Sequence, residues 1–154
     1  AHSPLLNFLP IRGARDFYGL ASGGIGFAMA GAIGIQLAQP QRRVVAIVGD
    51  GSAMYSIQAL WTAAHLELPI TYIIANNASY RILKERVMPY QKEAKFIAMD
   101  MRDPRIDFVQ LAQSMGVSAQ RVTEPGAIDG ALRQAYDTNG PTLVEIAVHD
   151  GFER

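Results

Sequence analysis

The chain of 154 residues reads as an α/β domain built on an open parallel sheet with helices on both faces. Three observations predict it. Runs that are mostly apolar and β-branched, rather than alternating, recur at "RVVAIV" (43–48), "ITYIIA" (70–75) and "TLVEIAV" (142–148), as expected of strands in a parallel sheet covered on both sides. Stretches with helical spacing separate them: "MYSIQALWTAAHL" (54–66), "IDFVQLAQSMG" (106–116) and "PGAIDGALRQAYDTNG" (125–140). Polar turn residues stand where two of the strand runs stop, Gly49-Asp50-Gly51 and Asn76-Asn77, and strands alternating with helices in this way make a parallel sheet.

In chain order, a proline-punctuated lead (4–10) precedes "DFYGLA" (16–21), expected to be a short strand running into a glycine cluster. "GGIGFAMAGAIGIQLA" (23–38) then reads as a buried helix stopped before Pro40; it is too short and glycine-rich to span a membrane. The unit 43–75 is strand, helix, strand. "AQRV" (119–122) is a further strand between the last two helices. Residues 88–105 lack clear periodicity, and a stretch that long in a compact domain is expected to be a functional loop or lid.

Composition narrows the function classes. Nearly half the residues are apolar, enough for one core, while charged residues make up 18%, below the usual quarter, which suggests surface buried against other protein. Net charge is zero without a basic block, so neither nucleic acid nor an anionic membrane has an electrostatic footprint. Cysteine is absent, which excludes disulfides and thiolate chemistry. No secretory signal is visible, and a cytoplasmic protein is expected. The chain starts without methionine and stops soon after a strand, and is expected to be the C-terminal part of a longer one.

In an open parallel sheet the ligand crevice lies beyond the carboxyl ends of the strands, so Asp50 and Asn77 are expected to be neighbours there. The flanking glycines permit a tight turn and close backbone approach, and the helix beginning at Ser52 has free N–H groups that suit a phosphate. Asp50 would repel that phosphate unless a divalent cation stood between them. A hard ion such as Mg²⁺ takes a carboxylate, neutral oxygens and phosphate oxygens together, and Asn77 offers a neutral oxygen. Taken singly, a turn aspartate and a helix-capping asparagine remain the plainer alternatives.

"GDGSAMYSIQALWTAAHLELPITYIIANN" (49–77) resembles the cofactor signature of thiamine diphosphate enzymes, which opens with GDG and closes with NN. The similarity extends to "ASGGIGFAMAGAIGIQLAQP", "IDFVQLAQSMGV" and "GPTLVEIAV", so nearly the whole chain is similar to the pyrophosphate-binding domain of those enzymes, most of all benzoylformate decarboxylases. The resemblance implies that Asp50, Asn77 and the Ser79 carbonyl hold Mg²⁺, and that Gly51, Ser52 and the turn Ser79-Tyr80-Arg81-Ile82 supply the phosphate donors. It further implies that Gly23, followed by Gly24, accepts a hydrogen bond from the aminopyrimidine, and that Ile25 wedges the cofactor into its reactive bend. Gly23 and Ile25 are thus the expected catalytic positions of this segment. Close helix packing by Gly23, Gly24 and Gly26, with Ile25 in the core, is the plainer alternative.

A competing pattern exists. "GLASGGIGFA" nearly reproduces the TGxxxGxG turn of short-chain dehydrogenases, and Tyr80 and Lys84 have their YxxxK spacing. However, Leu20 stands where that turn needs its first glycine, Tyr80 comes too early, and Asp50 and Asn77 would be unexplained. His2, His65 and His149 lack metal-ligand spacing, and Trp61 is expected in a core or an interface. Tyr55 is expected to face the crevice or a neighbouring chain. "RILKER" (81–86) is read as a solvated helix face from which Ile82, Leu83 and Arg86 line the substrate pocket.

By resemblance, the expected activity is thiamine diphosphate- and Mg²⁺-dependent decarboxylation of a 2-oxo acid, a lyase reaction. An acetolactate synthase-like carboligase and a non-catalytic cofactor-binding module are the alternatives. Leu83 stands where pyruvate decarboxylases have an acid and Arg86 where acetohydroxyacid synthases have tryptophan. Benzoylformate decarboxylases share Leu83 but have small and aromatic residues in place of Ile82 and Arg86, which argues against an aryl substrate. Implied partners are the small 2-oxo acid and the N-terminal pyrimidine-binding domain of a neighbouring subunit, which brings the activating glutamate. The implied assembly is a homo-oligomer, a dimer or a homotetramer, and neither nucleic acid nor membrane is expected as a partner.

Overall fold

The computed structural model describes residues 6–19, 22–90 and 95–152. Its sheet has four strands, β1 (Val44–Gly49), β2 (Ile70–Asn76), β3 (Ser118–Val122) and β4 (Thr142–Ala147), in the order β1-β2-β4-β3, all parallel. Lying wholly within the described residues are the α-helices α1 (Phe27–Ala38), α2 (Asp50–Ala53), α3 (Ala59–His65), α4 (Arg81–Val87), α5 (Phe108–Ser114) and α6 (Ile128–Asp137). Short 3₁₀ turns occupy Met88–Tyr90 and Pro125–Ala127.

The two faces of the sheet are covered by different helices, because successive residues of a strand point to opposite sides. Ala46 and Val48 of β1, Ile70, Tyr72 and Ile74 of β2, and Leu143 of β4 pack with Met29 and Ala32 of α1, Leu60 and Ala63 of α3, and Phe108 and Ala112 of α5. On the reverse face Val122 and Val144 meet Ala131 and Ala135 of α6. On this face the β1 side chains Val45 and Ile47 stay 44% and 42% exposed. Such an apolar edge fits the low charge content of the chain and its expected burial against other protein.

Buried polar groups in this core have partners, as they must. Gln36 of α1 donates to the carbonyls of Arg42 (2.8 Å) and Gln39 (3.3 Å) and accepts from the Val44 N–H at 3.2 Å. It thereby fixes the turn between α1 and β1. Asp107 caps α5 by accepting from the Gln110 N–H at 3.0 Å.

Two expectations are corrected here. Residues 16–19 form no strand: the Asp16 carboxylate instead accepts from the N–H groups of Arg12 and Gly13 and pairs with Arg42 at 2.8 Å, a local turn that competes with extension. Leu20 and Ala21, the end of that expected strand, lie outside the described residues. The expected helix over 54–66 is regular only from Ala59, since residues 54–58 are tight turns such as Ser56 N–H to Ala53 and Ala59 N–H to Ser56. Among the described residues no helix is long and apolar enough to cross a membrane.

Candidate cofactor and metal site

Gly49 and Ala75 are register partners at the carboxyl ends of β1 and β2, so the chain leaves the sheet side by side at Asp50 and Asn77. The Asp50 carboxylate is buried (4% exposed) and accepts from the Gly51 N–H at 2.9 Å. Its other oxygen meets the Ser79 N–H at 3.4 Å, and the Asn77 amide oxygen accepts from that same N–H at 3.0 Å. Carboxylate and amide oxygen therefore converge on one point.

Asp50 belongs to none of the ion pairs among the described residues, whose acidic partners are Asp16, Glu85, Asp100, Asp107, Asp129, Glu145 and Asp150. Burial pushes its pKa up, against the lowering effect of the backbone N–H groups of Gly51, Ser79, Ala78 and Asn77. A buried carboxylate without a cation fits a site whose positive charge arrives with a ligand. Among the described residues no group of three or more His, Cys, Asp or Glu side chains is placed to hold a metal. The donor set is thus one carboxylate with neutral oxygens, suited to a hard ion that takes its remaining oxygens from a phosphate.

Gly51 is required here by close approach: a Cβ on it would stand 2.6 Å from the Tyr80 ring. The glycine loop before α1 is tied to the same place. Gly26, at φ +88°, donates its N–H to the Ser52 hydroxyl at 2.9 Å, and the Ser56 hydroxyl donates to the Gly26 carbonyl. A Cβ on Gly26 would lie 2.8 Å from that of Tyr55. Gly23 and Gly24 are exposed, and Ile25 projects 59% exposed from a turn whose next residue is bonded on both sides. Ile25 is thus not part of the core of the described residues.

Helix α4 divides the basic cluster. Arg81 pairs with Glu85 at 2.7 Å on the surface, and Ile82, Leu83 and Arg86 are exposed. Lys84 corrects the expectation of a solvated face: it is buried, 2.8 Å from Asp100 and 3.3 Å from Asp150, with its ammonium over the rings of Phe96 and Phe152. Arg102 joins Asp150 at 2.7 Å. Burial pushes the Asp150 carboxyl up, yet the Phe152 N–H, Lys84 and Arg102 outweigh it and hold the group below its ordinary value. Lys84 is engaged by carboxylates, so the YxxxK dehydrogenase pattern finds no free lysine.

The same ion cluster anchors part of the expected loop over 88–105. Ser79 and Asp100 form an antiparallel bridge, with Tyr80 N–H to the Met99 carbonyl and Met101 N–H to the Ala78 carbonyl, both at 2.8 Å. Residues 99–101 back the Asn77–Tyr80 loop, while 91–94 lie outside the described residues. Lys84→Met is expected to lower stability by about 3 kcal/mol, the low end for breaking a buried pair, because Asp150 keeps Arg102. The thermal unfolding midpoint measures it.

Several residues of this site carry no sequence signal that identifies them. Ser56 reaches the Gly26 carbonyl, Lys84 reaches Asp100 and Asp150, and Glu145 reaches Asn76 only through the fold. Trp61 is not core: it is 57% exposed and stacks on His65 at 4.9 Å between ring centroids.

Residues 3–146 match the family described as "Thiamine pyrophosphate enzyme, C-terminal TPP binding domain". The chain is 36% identical over 136 residues to benzoylformate decarboxylase of Pseudomonas aeruginosa, covering 88% of this chain and 25% of that protein. It is 34% identical over 129 residues to the acetolactate synthase large subunit of Parasynechococcus marenigrum, covering 84% and 21%. Its structure superposes on the thiamine diphosphate-dependent 4-hydroxybenzoylformate decarboxylase of Rhodococcus jostii RHA1 with TM-score 0.78 and 39% identity, over 84% of this chain and 24% of that one. The chain thus spans about a quarter of the length of these relatives. Parallel sheet, GDG turn and asparagine pair agree with this match, and the chain belongs to the thiamine pyrophosphate enzymes as a C-terminal TPP binding domain.

Proposed function

We propose that this chain is the diphosphate- and Mg²⁺-binding part of a thiamine diphosphate-dependent 2-oxo acid decarboxylase. The observation that carries the reading is the buried, cation-free Asp50 carboxylate sharing the Ser79 N–H with the Asn77 amide oxygen. In this reading Asp50, Asn77 and the Ser79 carbonyl hold the metal, and Gly51, Ser52, Tyr80, Arg81 and Ile82 bound the diphosphate. Gly23 and Gly24 face the aminopyrimidine, with the Gly23 carbonyl as acceptor, and Ile25 sets the bend. When bound, thiamine diphosphate supplies the carbon nucleophile and electron sink for loss of carbon dioxide. The residues of this chain bind, orient and keep the cofactor bent; the activating glutamate comes from the pyrimidine-binding domain of a neighbouring subunit in a homo-oligomer.

Carboligation is the second reading, favoured by the similar identity to an acetolactate synthase subunit. Product analysis of the complete protein with 2-oxo acids, cofactor and Mg²⁺ separates them. One carbon dioxide and one matching aldehyde per 2-oxo acid consumed are expected; a 2-acyl-2-hydroxy acid as the main product, with one carbon dioxide lost for every two 2-oxo acids consumed, would favour ligation. No turnover in the complete protein, with cofactor retained, would favour a binding module.

Arg86 bears on the substrate class. It lies one helical turn beyond Ile82 on the exposed side of α4, so the two share a face. A guanidinium offers two parallel, charge-assisted hydrogen bonds to a second carboxylate or a phosphate, and little to an apolar ring unless the two stack. Anionic 2-oxo acids are therefore proposed. Arg86→Met is expected to lower the ratio of kcat/KM between a 2-oxo acid with a second anionic group and one with an uncharged side chain by about tenfold, the loss of one charge-assisted contact. An unmoved ratio would return Arg86 to the solvated surface.

A further inference from the structure

We infer that Glu145 is a positioning residue for the metal loop, acting through Asn76, the first asparagine of the pair; the inference rests on the metal site proposed above. Glu145 lies on β4, fully buried, and a buried carboxylate is expensive unless every lone pair is used. One of its oxygens accepts from the Asn76 amide nitrogen at 2.7 Å, and the other from the Arg121 Nε on β3 at 2.9 Å. Arg105 stands 3.9 Å from the first oxygen.

The bond to Glu145 decides which way the Asn76 amide points. A carboxylate only accepts, so the amide nitrogen must face it and the amide oxygen must face away. That oxygen accepts from the Ala78 N–H at 2.9 Å. Ala78 sits at φ +50°, a left-handed conformation that a residue with a Cβ adopts only when its surroundings impose it. The turn at Ala78 brings the Ser79 N–H back onto the Asn77 amide oxygen and the Asp50 carboxylate. A chain of bonds thus runs from β3 through Glu145 and Asn76 to the loop that presents the oxygens of Asn77 and Ser79. Asn76 touches no metal in this arrangement: it holds the ligand loop in its turn.

The test is Mg²⁺ titration of the complete protein at fixed, saturating thiamine diphosphate, with retained cofactor measured by equilibrium dialysis. Asn76→Ala and Glu145→Met are each expected to raise the half-saturating Mg²⁺ concentration about tenfold or more, as removal of groups that orient metal ligands does. Glu145→Gln is expected to stay close to the parent. Its single acceptor can serve Asn76, because the part-exposed Arg121 also has Asp107 at 3.4 Å. The double variant Asn76→Ala/Glu145→Met should be no worse than either single one, since both cut one chain. A merely structural role predicts instead a lowered unfolding midpoint with unchanged Mg²⁺ dependence below it.

The inference is overturned if Asn76→Ala titrates like the parent, or if the double variant shows the product of two independent losses. Should Glu145→Met fail to fold, Asn76→Ala and Glu145→Gln still decide it. Asp50→Ala serves as control. Loss of Mg²⁺ dependence there with a normal Asn76→Ala overturns this inference alone, whereas a normal Asp50→Ala overturns the metal site itself.

Discussion

Asp50→Ala is expected to abolish retention of thiamine diphosphate and Mg²⁺ by the complete protein. Asp50 is the one carboxylate in the proposed donor set, and its removal leaves a dication and a diphosphate without the charge and oxygen that close the site. Taking one partner from a buried charge pair costs about 4 kcal/mol, which is on the order of a thousandfold in affinity. Calorimetric titration of the cofactor with Mg²⁺ measures it, and an unchanged affinity would remove Asp50 from the site. Stability should respond in the opposite sense. Burial raises the Asp50 pKa in the cofactor-free fold, so the folded state binds this proton more tightly than the unfolded chain. Its contribution is then fully present below the unfolded pKa and lost as pH rises through the folded one. At neutral pH the buried carboxylate, held by backbone N–H groups but paired with no side-chain cation, opposes folding, and Asp50→Asn is expected to leave the thermal midpoint of the cofactor-free protein unchanged or raise it.

Ile25→Ala is expected to lower turnover by about a hundredfold, the scale on which misplacing reacting groups by an ångström acts, while cofactor affinity changes little. The metal and diphosphate contacts proposed for Asp50, Gly51, Ser52, Asn77 and Ser79 hold the cofactor at one end. In the proposed site Ile25 would shape its middle, from a turn fixed by the Ser52 and Ser56 hydroxyls on either side of Gly26. Turnover and affinity measured on one preparation separate the two roles. A large loss of affinity with normal turnover at saturation would assign Ile25 to binding instead.

Strands β2 and β4 were legible because strands buried on both faces are apolar at most positions; β1 is equally apolar although Val45 and Ile47 stay exposed, and β3, which is mostly polar, was legible only from its place between two helices. Strand β1 runs one residue beyond "RVVAIV", to Gly49, and β2 one beyond "ITYIIA", to Asn76. The helix over 54–66 was less legible, since its spacing continues through residues that the Ser56–Gly26 bond holds in tight turns. The strand expected at 16–19 failed for a local reason, the turn that the Asp16 carboxylate closes on the N–H groups of Arg12 and Gly13 just before it.

By itself the sequence determined the class of fold, the GDG turn and the asparagine pair, because glycine, aspartate and asparagine at strand ends have few local alternatives. It also placed Asp50 beside Asn77, through the rule that parallel strands deliver their carboxyl ends to one crevice. Only the tertiary structure decided the rest. Lys84 looks like any basic residue of a surface helix until Asp100 and Asp150 close over it. Glu145 looks like an ordinary interruption of an apolar strand until Asn76 and Arg121 meet it from β2 and β3. Burying such charges is favourable only where partners from distant segments satisfy them, and which segments those are is a property of the folded sheet rather than of any stretch of the chain.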